Sequence, residues 1–159
     1  MTPAVKAAQQ AGIPYRLHEY QHDPHNRDFG LEAAHKLGLS PAQVFKTLMV
    51  SLDSDPRALA VAVVPVDSML DLKAMARACG AKKANMADPK VAERITGYVV
   101  GGISPLGQKR RLPTVIDGSA AEFTHIFVSA GRRGMDIEVA ATDLCTVLDG
   151  SIAPIARAT

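Results

Sequence analysis

Three groups of residues have the types and spacing to do chemistry. Lys46 sits in Val44-Phe45-Lys46-Thr47-Leu48-Met49-Val50, an otherwise apolar, strand-forming run. A strand alternates its faces residue by residue, so Lys46 shares a face with Val44, Leu48 and Val50. An ammonium among residues that seek burial needs an acid or an anionic ligand; the competing reading is an edge lysine that blocks aggregation or snorkels to water. The second group is Gly101-Gly102-Ile103-Ser104-Pro105-Leu106-Gly107. Paired glycines let backbone approach a ligand and aim N–H groups at a phosphate, a carboxylate or a developing oxyanion, although most glycine-rich loops are turns. The adjacent Lys109, Arg110 and Arg111 favour an anionic partner, with side chains reaching phosphates. The third is Asp136 in Met135-Asp136-Ile137-Glu138-Val139. Asp136 and Glu138 share one strand face, and the pattern alone favours a solvent-facing edge. The functional alternative has Asp136 facing the same cavity as Lys46 and orienting an amine.

Other chemistries lack their residues. There is no Gly-x-Ser-x-Gly elbow, no Gly-x-Gly-x-x-Gly after a strand and no Walker lysine motif. His18, His22 and His25 are close in sequence, but they bridge a strand end and a proline-containing loop without a helical His-x-x-x-His frame, so no metal is expected. Cys79 and Cys145 each fall in a helical pattern outside any paired metal motif and read as reduced packing thiols. A hydrolase built on this chain has no evident protein nucleophile, which leaves water or the substrate itself.

These residues need elements to hold them. Thr2-Pro3 reads as an N-cap with proline at the first helical position, and Gly12 as the stop. A strand over 15–20 and a polar loop over 21–27 follow. Asp28 is placed to cap a helix running to Gly38, with Leu31, Ala34 and Leu37 on its apolar side. Ser40-Pro41-Ala42-Gln43 has the form of a capping box opening a very short helix. The Lys46 strand pairs with residues 58–64 across the turn Asp53-Ser54-Asp55-Pro56-Arg57. Helices are expected over 71–79, 88–95 and 142–148, strands over 97–100, 114–117, 125–129 and 135–139, and a hairpin turn at 131–134. Short mixed elements without regular alternation indicate an α/β or α+β domain on a mixed sheet.

The chain has 159 residues, enough for one domain with a proper core. An apolar fraction of 47% with 21% charged residues is that of a soluble globular protein. No apolar run reaches transmembrane length and the N-terminus lacks a signal-peptide core, so a cytoplasmic location and no membrane partner are expected. The formal net charge is only +2, yet residues 71–113 carry nine basic side chains against three acidic ones. That segment suits a phosphate-rich partner, or is simply a set of solvated helix faces. The absence of tryptophan and the scarcity of other aromatics argue against a stacking platform for single-stranded nucleic acid.

Taken together, several segments resemble the YbaK family of bacterial aminoacyl-tRNA deacylases. They include Lys36-Leu37-Gly38-Leu39, Phe45-Lys46-Thr47-Leu48, Leu70-Asp71-Leu72-Lys73, Gly80-Ala81-Lys82-Lys83 and Met86-Ala87-Asp88-Pro89. The strongest is Thr96-Gly97-Tyr98-Val99-Val100-Gly101-Gly102-Ile103-Ser104-Pro105-Leu106-Gly107-Gln108-Lys109. Their order and spacing are specific and cover nearly the whole chain. The resemblance implies one compact editing domain over residues 1–159, with a mixed, mostly antiparallel sheet flanked by helices, like the editing insertion of bacterial prolyl-tRNA synthetases. It implies removal of cysteine from mischarged tRNA(Pro), with attack by the substrate's own thiol, no cofactor, and transient work beside prolyl-tRNA synthetase. Lys46 matches the family's essential lysine and Gly101 its backbone contact to the aminoacyl carbonyl, with Gly102 and Ile103 beside it. Tyr20, Phe29, Thr47, Ser129 and Asp136 match positions lining the aminoacyl pocket, and aspartate at 136 favours the cysteine-specific branch. An Ala-tRNA(Pro) or broader deacylase, and a non-catalytic aminoacyl-tRNA binding module, are the alternatives.

Overall fold

A computed structural model describes residues 1–158; Thr159, the last residue of the expected domain, lies outside the described residues. In chain order the elements are α1 (Pro3–Ala11), β1 (Tyr15–Glu19), α2 (Phe29–Leu37), β2 (Phe45–Leu52), β3 (Asp55–Pro65), β4 (Ser68–Leu70), α3 (Leu72–Ala78), β5 (Ala84–Met86), α4 (Pro89–Thr96), β6 (Thr114–Asp117), a 3₁₀ turn (Gly118–Glu122), β7 (His125–Arg132), β8 (Met135–Ala140), α5 (Ala141–Leu148), β9 (Ser151–Ala153) and β10 (Ala156–Ala158). This is the expected α+β architecture.

β3 is the centre of the molecule. Residues 59–64 are all buried, because β3 lies between β2 and β6 in a five-stranded sheet of order β5-β2-β3-β6-β9 and is covered on both faces. One face packs Val61 and Val63 with Ile116, Ile126, Val128, Ile137 and Leu144. The other packs Ala60, Ala62 and Val64 with Met75 of α3 and Ile155. β2–β3 and β2–β5 are antiparallel, whereas β3–β6 and β6–β9 are parallel. A second, antiparallel sheet of order β1-β8-β7 joins the first where Val44 bridges Phe127 and the Phe127 N–H donates to the Gln43 carbonyl. β5 pairs only with Val50, Ser51 and Leu52. Between these two contacts the edge of β2 over residues 45–48 carries no hydrogen-bonded strand ladder among the described residues, and that opening becomes the floor of a cavity.

Thr2 caps α1 as expected, and Asp71 and Asp88 likewise accept a backbone N–H of the first turn. Asp28 stands at the start of α2 as expected but makes no side-chain capping bond, because its backbone (φ −93°, ψ 75°) is outside the extended conformation of a cap. Three further expectations need correction. Residues 97–100 form no strand: Gly97 ends α4 with φ +83°, and the Val100 N–H and C=O go to the Glu93 and Arg133 side chains, which leaves no ladder to join. Ser40–Gln43 is a hydrogen-bonded turn, closed by the Gln43 N–H on the Ser40 carbonyl, rather than a short helix. The inward face of α2 is Glu32, Ala33 and Ala34, with Leu31 39% exposed. The helix is rolled toward its carboxylate because Glu32 finds hydrogen-bond and charge partners in His22, Asp23 and Lys36.

Candidate active site

The open edge of β2, the start of α2, the Gly101 loop and the β7–β8 hairpin enclose a cavity of about 310 Å³. Tyr20, Phe29, Lys46, Thr47, Gly101, Ile103, Ser129 and Asp136 all line it. Residues separated by ninety positions in sequence are therefore neighbours here, including the two that the alternation pattern left ambiguous. Among the other residues expected in the site, Gly102 is buried behind the wall; a Cβ there would meet the Arg132 Cα at 2.9 Å. Arg110 and Arg111 line a different cavity of about 210 Å³ between the end of α5 and the loop over 105–112. Arg111 is tied there by a bond to the Val147 carbonyl, and the Lys109 stem lies over Gly97.

Lys46 is half-buried on β2, opposite Val64. Asp136 is only 5% exposed, which corrects the solvent-edge reading: β8 is the middle strand of its sheet, and the Asp136 face is covered by the cavity walls. Burial pushes its carboxyl up to about 7, and no protein cation pairs with it among the described residues. Lys46 and Asp136 thus face one cavity without forming an ion pair, leaving an anionic and a cationic anchor for a guest between them. Tyr20 is likewise pushed up to about 12, by burial first and by the Asp136 charge second. It stays a neutral phenol at any working pH. The Thr47 hydroxyl is buried with no hydrogen-bond partner among the described residues. Buried polar atoms are nearly always satisfied, so this one marks a place for a ligand or a water.

The Gly101 loop is held from several sides. The Tyr98 hydroxyl donates to the Leu106 carbonyl at 2.6 Å, the Leu106 N–H to Ser104 Oγ, and Gln108 Nε2 to the Ser104 carbonyl. Gly101 itself has φ +89°, and a Cβ on it would sit 2.7 Å from the Phe29 ring. Glycine is required there by both backbone and space. Phe29 packs on that bare face, with the His22 ring 5.6 Å away and the Arg133 guanidinium 4.8 Å over its centroid. Behind Phe29, the fully buried Glu32 carboxylate accepts from His22 Nδ1 at 2.6 Å and the Asp23 N–H at 2.8 Å, and pairs with Lys36. Burial opposes ionisation of Glu32, but these bonds outweigh it and hold its carboxyl below the usual range. That network pins the loop over 21–28 to α2 and so fixes Phe29.

Sequence reasoning missed Arg27, Asp28, Ala87, Pro89 and Val100, which complete the cavity rim, and the Glu32 and Arg133 anchors behind it. The spacing of Glu32 and Lys36 by one helical turn, after a His22-Asp23 pair, was the available signal for the first anchor. The histidines are taken separately, His18 by Glu138 and His22 by Glu32. No three metal-binding side chains converge among the described residues. Both cysteines lie outside the cavity, with Cys145 Sγ donating to the Gly150 carbonyl.

Residues 24–147 match the aminoacyl-tRNA editing domain. The chain belongs to that family. It is 37% identical over 155 residues, 97% of this chain and 92% of its relative, to a protein of Enterococcus faecalis named as a Cys-tRNA(Pro)/Cys-tRNA(Cys) deacylase, EbsC. Among solved structures the fold is similar to a hypothetical protein, APE2540, with TM-score 0.86 at 23% identity, covering 98% of this chain and 99% of the other. A structure described as a trans-editing enzyme for prolyl-tRNA synthetase gives TM-score 0.84 at 19% identity, covering 98% and 95%. These two likenesses establish the fold; family membership rests on the sequence matches. The matched residues supply most of the cavity wall, Phe29, Lys46, Gly101, Ser129 and Asp136 among them, while Tyr20 precedes them in the chain.

Proposed function

We propose that this protein is a trans-editing deacylase that removes cysteine from mischarged Cys-tRNA(Pro) in the cytosol, beside prolyl-tRNA synthetase. The observation that carries the reading is the convergence of Lys46, Gly101 and Asp136 on one small cavity in a chain of the editing family. Its volume lies at the lower end of small-ligand sites, ~300–1,000 Å³, which suits an aminoacyl ester. The cysteine deacylase relative supports the choice of amino acid.

In this mechanism the substrate supplies its own nucleophile. The cysteine sulfur attacks the ester carbonyl carbon; a C–S bond forms, the C–O bond to the terminal ribose breaks, and the thiol proton ends on the ribose hydroxyl. The product is a thiolactone and an uncharged tRNA. The protein holds sulfur and carbonyl together, an effect that can be worth ~7–11 kcal/mol in well-oriented intramolecular reactions. The Gly101 N–H faces the developing oxyanion, Lys46 binds the terminal phosphate or ribose, and the buried Asp136 carboxylate receives the substrate ammonium as its missing counter-ion. Tyr20, Phe29, Thr47, Ile103 and Ser129 shape the aminoacyl pocket. Lys109, Arg110 and Arg111 contact tRNA phosphates away from the ester. Alanine, lacking a thiol, cannot cyclise, so selectivity comes from reactivity where pocket size discriminates poorly.

The test is a substrate panel of Cys-, Ala- and Ser-tRNA(Pro), with S-methylated cysteinyl-tRNA added. Rapid loss of cysteine that S-methylation abolishes is the expected result. Equal loss of alanine would replace this reading with a broad hydrolase, and salt-dependent tRNA binding without any ester loss would replace it with a binding module.

A further inference from the structure

One side chain outside the cavity grips two of the pieces that build it and belongs to a third. Arg133 Nε and one terminal nitrogen both donate to the Val100 carbonyl, at 2.9 and 2.7 Å. The same guanidinium lies 4.8 Å over the Phe29 ring, and that ring covers the bare face of Gly101. Arg133 belongs to the hairpin turn between β7 and β8, whose strands carry Ser129 and Asp136 into the cavity. A register shift between Ser129 and Arg132 re-aims the end of β7, and the backbone of Arg132 and Arg133 packs on Gly102 so closely that no Cβ would fit. Arg133 itself does not line the cavity.

The double bond to Val100 has a directional consequence. Across a planar trans peptide, the carbonyl of one residue and the N–H of the next point in opposite directions. Fixing the Val100 carbonyl therefore fixes the Gly101 N–H. The Val100 N–H is also held, by Glu93 Oε2 at 2.8 Å, and the Gly102 N–H by the Val99 carbonyl at 2.9 Å, so the peptides on either side cannot turn independently. Among the described residues no protein group accepts the Gly101 N–H. A charged donor on the carbonyl also polarises the shared peptide and makes its N–H a stronger donor.

We propose that Arg133 is a positioning residue for deacylation: by gripping the Val100 carbonyl and the Phe29 ring together, it orients and polarises the Gly101 N–H for the substrate's carbonyl oxygen. The inference rests on the deacylase reading and adds the residue that tunes its oxyanion donor. Lysine in its place offers a point charge but neither the two-pronged grip nor the planar stack.

The experiment compares wild type, Arg133→Lys and Arg133→Gln on Cys-tRNA(Pro), and follows the Gly101 amide by ¹⁵N–¹H NMR in the same proteins. Loss of an oxyanion donor outright costs ~10²–10³-fold in kcat, so weakening one through its peptide is expected to cost about tenfold or more in Arg133→Gln. KM should stay within about twofold, because the ground-state carbonyl gains little from the donor. Arg133→Lys should recover part of the rate, and the Gly101 amide proton should shift upfield in both variants. An unchanged kcat, or a loss confined to KM, overturns the inference while leaving the deacylase reading intact. If Arg133→Gln does not fold, Arg133→Lys decides on the same terms. If wild type cleaves no ester the deacylase reading fails, and an unmoved Gly101 amide shift would then overturn the positioning role separately.

Discussion

Asp136→Asn tests the electrostatics of the cavity without changing its shape. Burial pushes the Asp136 carboxyl from 3.8 to about 7. An acid whose pKa is raised on folding binds more protons folded than unfolded, so the stability it allows is greatest at low pH and is lost as pH rises from about 4 to about 7. Each tenfold change in proton affinity is worth ~1.4 kcal/mol, so holding this carboxylate ionised and buried costs roughly 4 kcal/mol at pH 8. At pH 5 it is protonated in the folded protein but ionised in the unfolded chain, and the cost falls to about 1–2 kcal/mol. An asparagine does not titrate, and its own desolvation, ~1–3 kcal/mol, is the same at both pH values. The variant should therefore gain about 2–3 kcal/mol on wild type between pH 5 and pH 8, a relative rise in Tm of several degrees for a chain of this length. Urea unfolding of both proteins at pH 5, 6, 7 and 8 measures it. A constant difference across that range would refute the claim that Asp136 is buried without a counter-ion. Activity should fall in the same variant by at least tenfold, as the substrate ammonium loses its partner.

Other perturbations probe the walls. Gly101→Ala meets a left-handed backbone and the Phe29 ring at once, and should lose ~2–4 kcal/mol in urea unfolding; adding Phe29→Ala should return only the steric share, read as a coupling in the double-mutant cycle. Glu32→Gln leaves His22 and Lys36 around a neutral buried group and should cost ~1–3 kcal/mol, a loss that shrinks in acid as the wild-type carboxylate protonates. Amide exchange over residues 21–28 should quicken in that variant. Neutralising Lys109 and Arg110 together should weaken tRNA binding and lower the slope of log K against log salt by about two, with the rate at saturating tRNA unchanged.

Much of the fold was readable because its signals are local. The helix starts at Thr2 and Asp88 each need only one side chain and the turn that follows it, whereas Asp28 carries the same signal and makes no capping bond. Lys46 stood out because strand period two makes a charge among Val44, Leu48 and Val50 conspicuous. Asp136 could not be read the same way: alternation fixes which residues share a face, not which face another element covers, and here the cover comes from the loop over 21–28, α2 and the Gly101 loop. The strands β4, β5, β9 and β10 span three residues each, too few to show any period. Residues 97–100 carry a β-type composition but spend their hydrogen bonds on Glu93 and Arg133. The role of Arg133 depends on a bulge at the end of β7 and on contacts more than thirty residues away, which no short motif encodes.

The proposed deacylation site is the cavity of Lys46, Gly101 and Asp136. It is tested by single-turnover loss of labelled cysteine from Cys-tRNA(Pro), with wild type and Lys46→Ala side by side. Rapid release by wild type is expected, with the label leaving as a thiolactone, and at least a hundredfold slower release by a folded Lys46→Ala. Equal rates from the two proteins would contradict it.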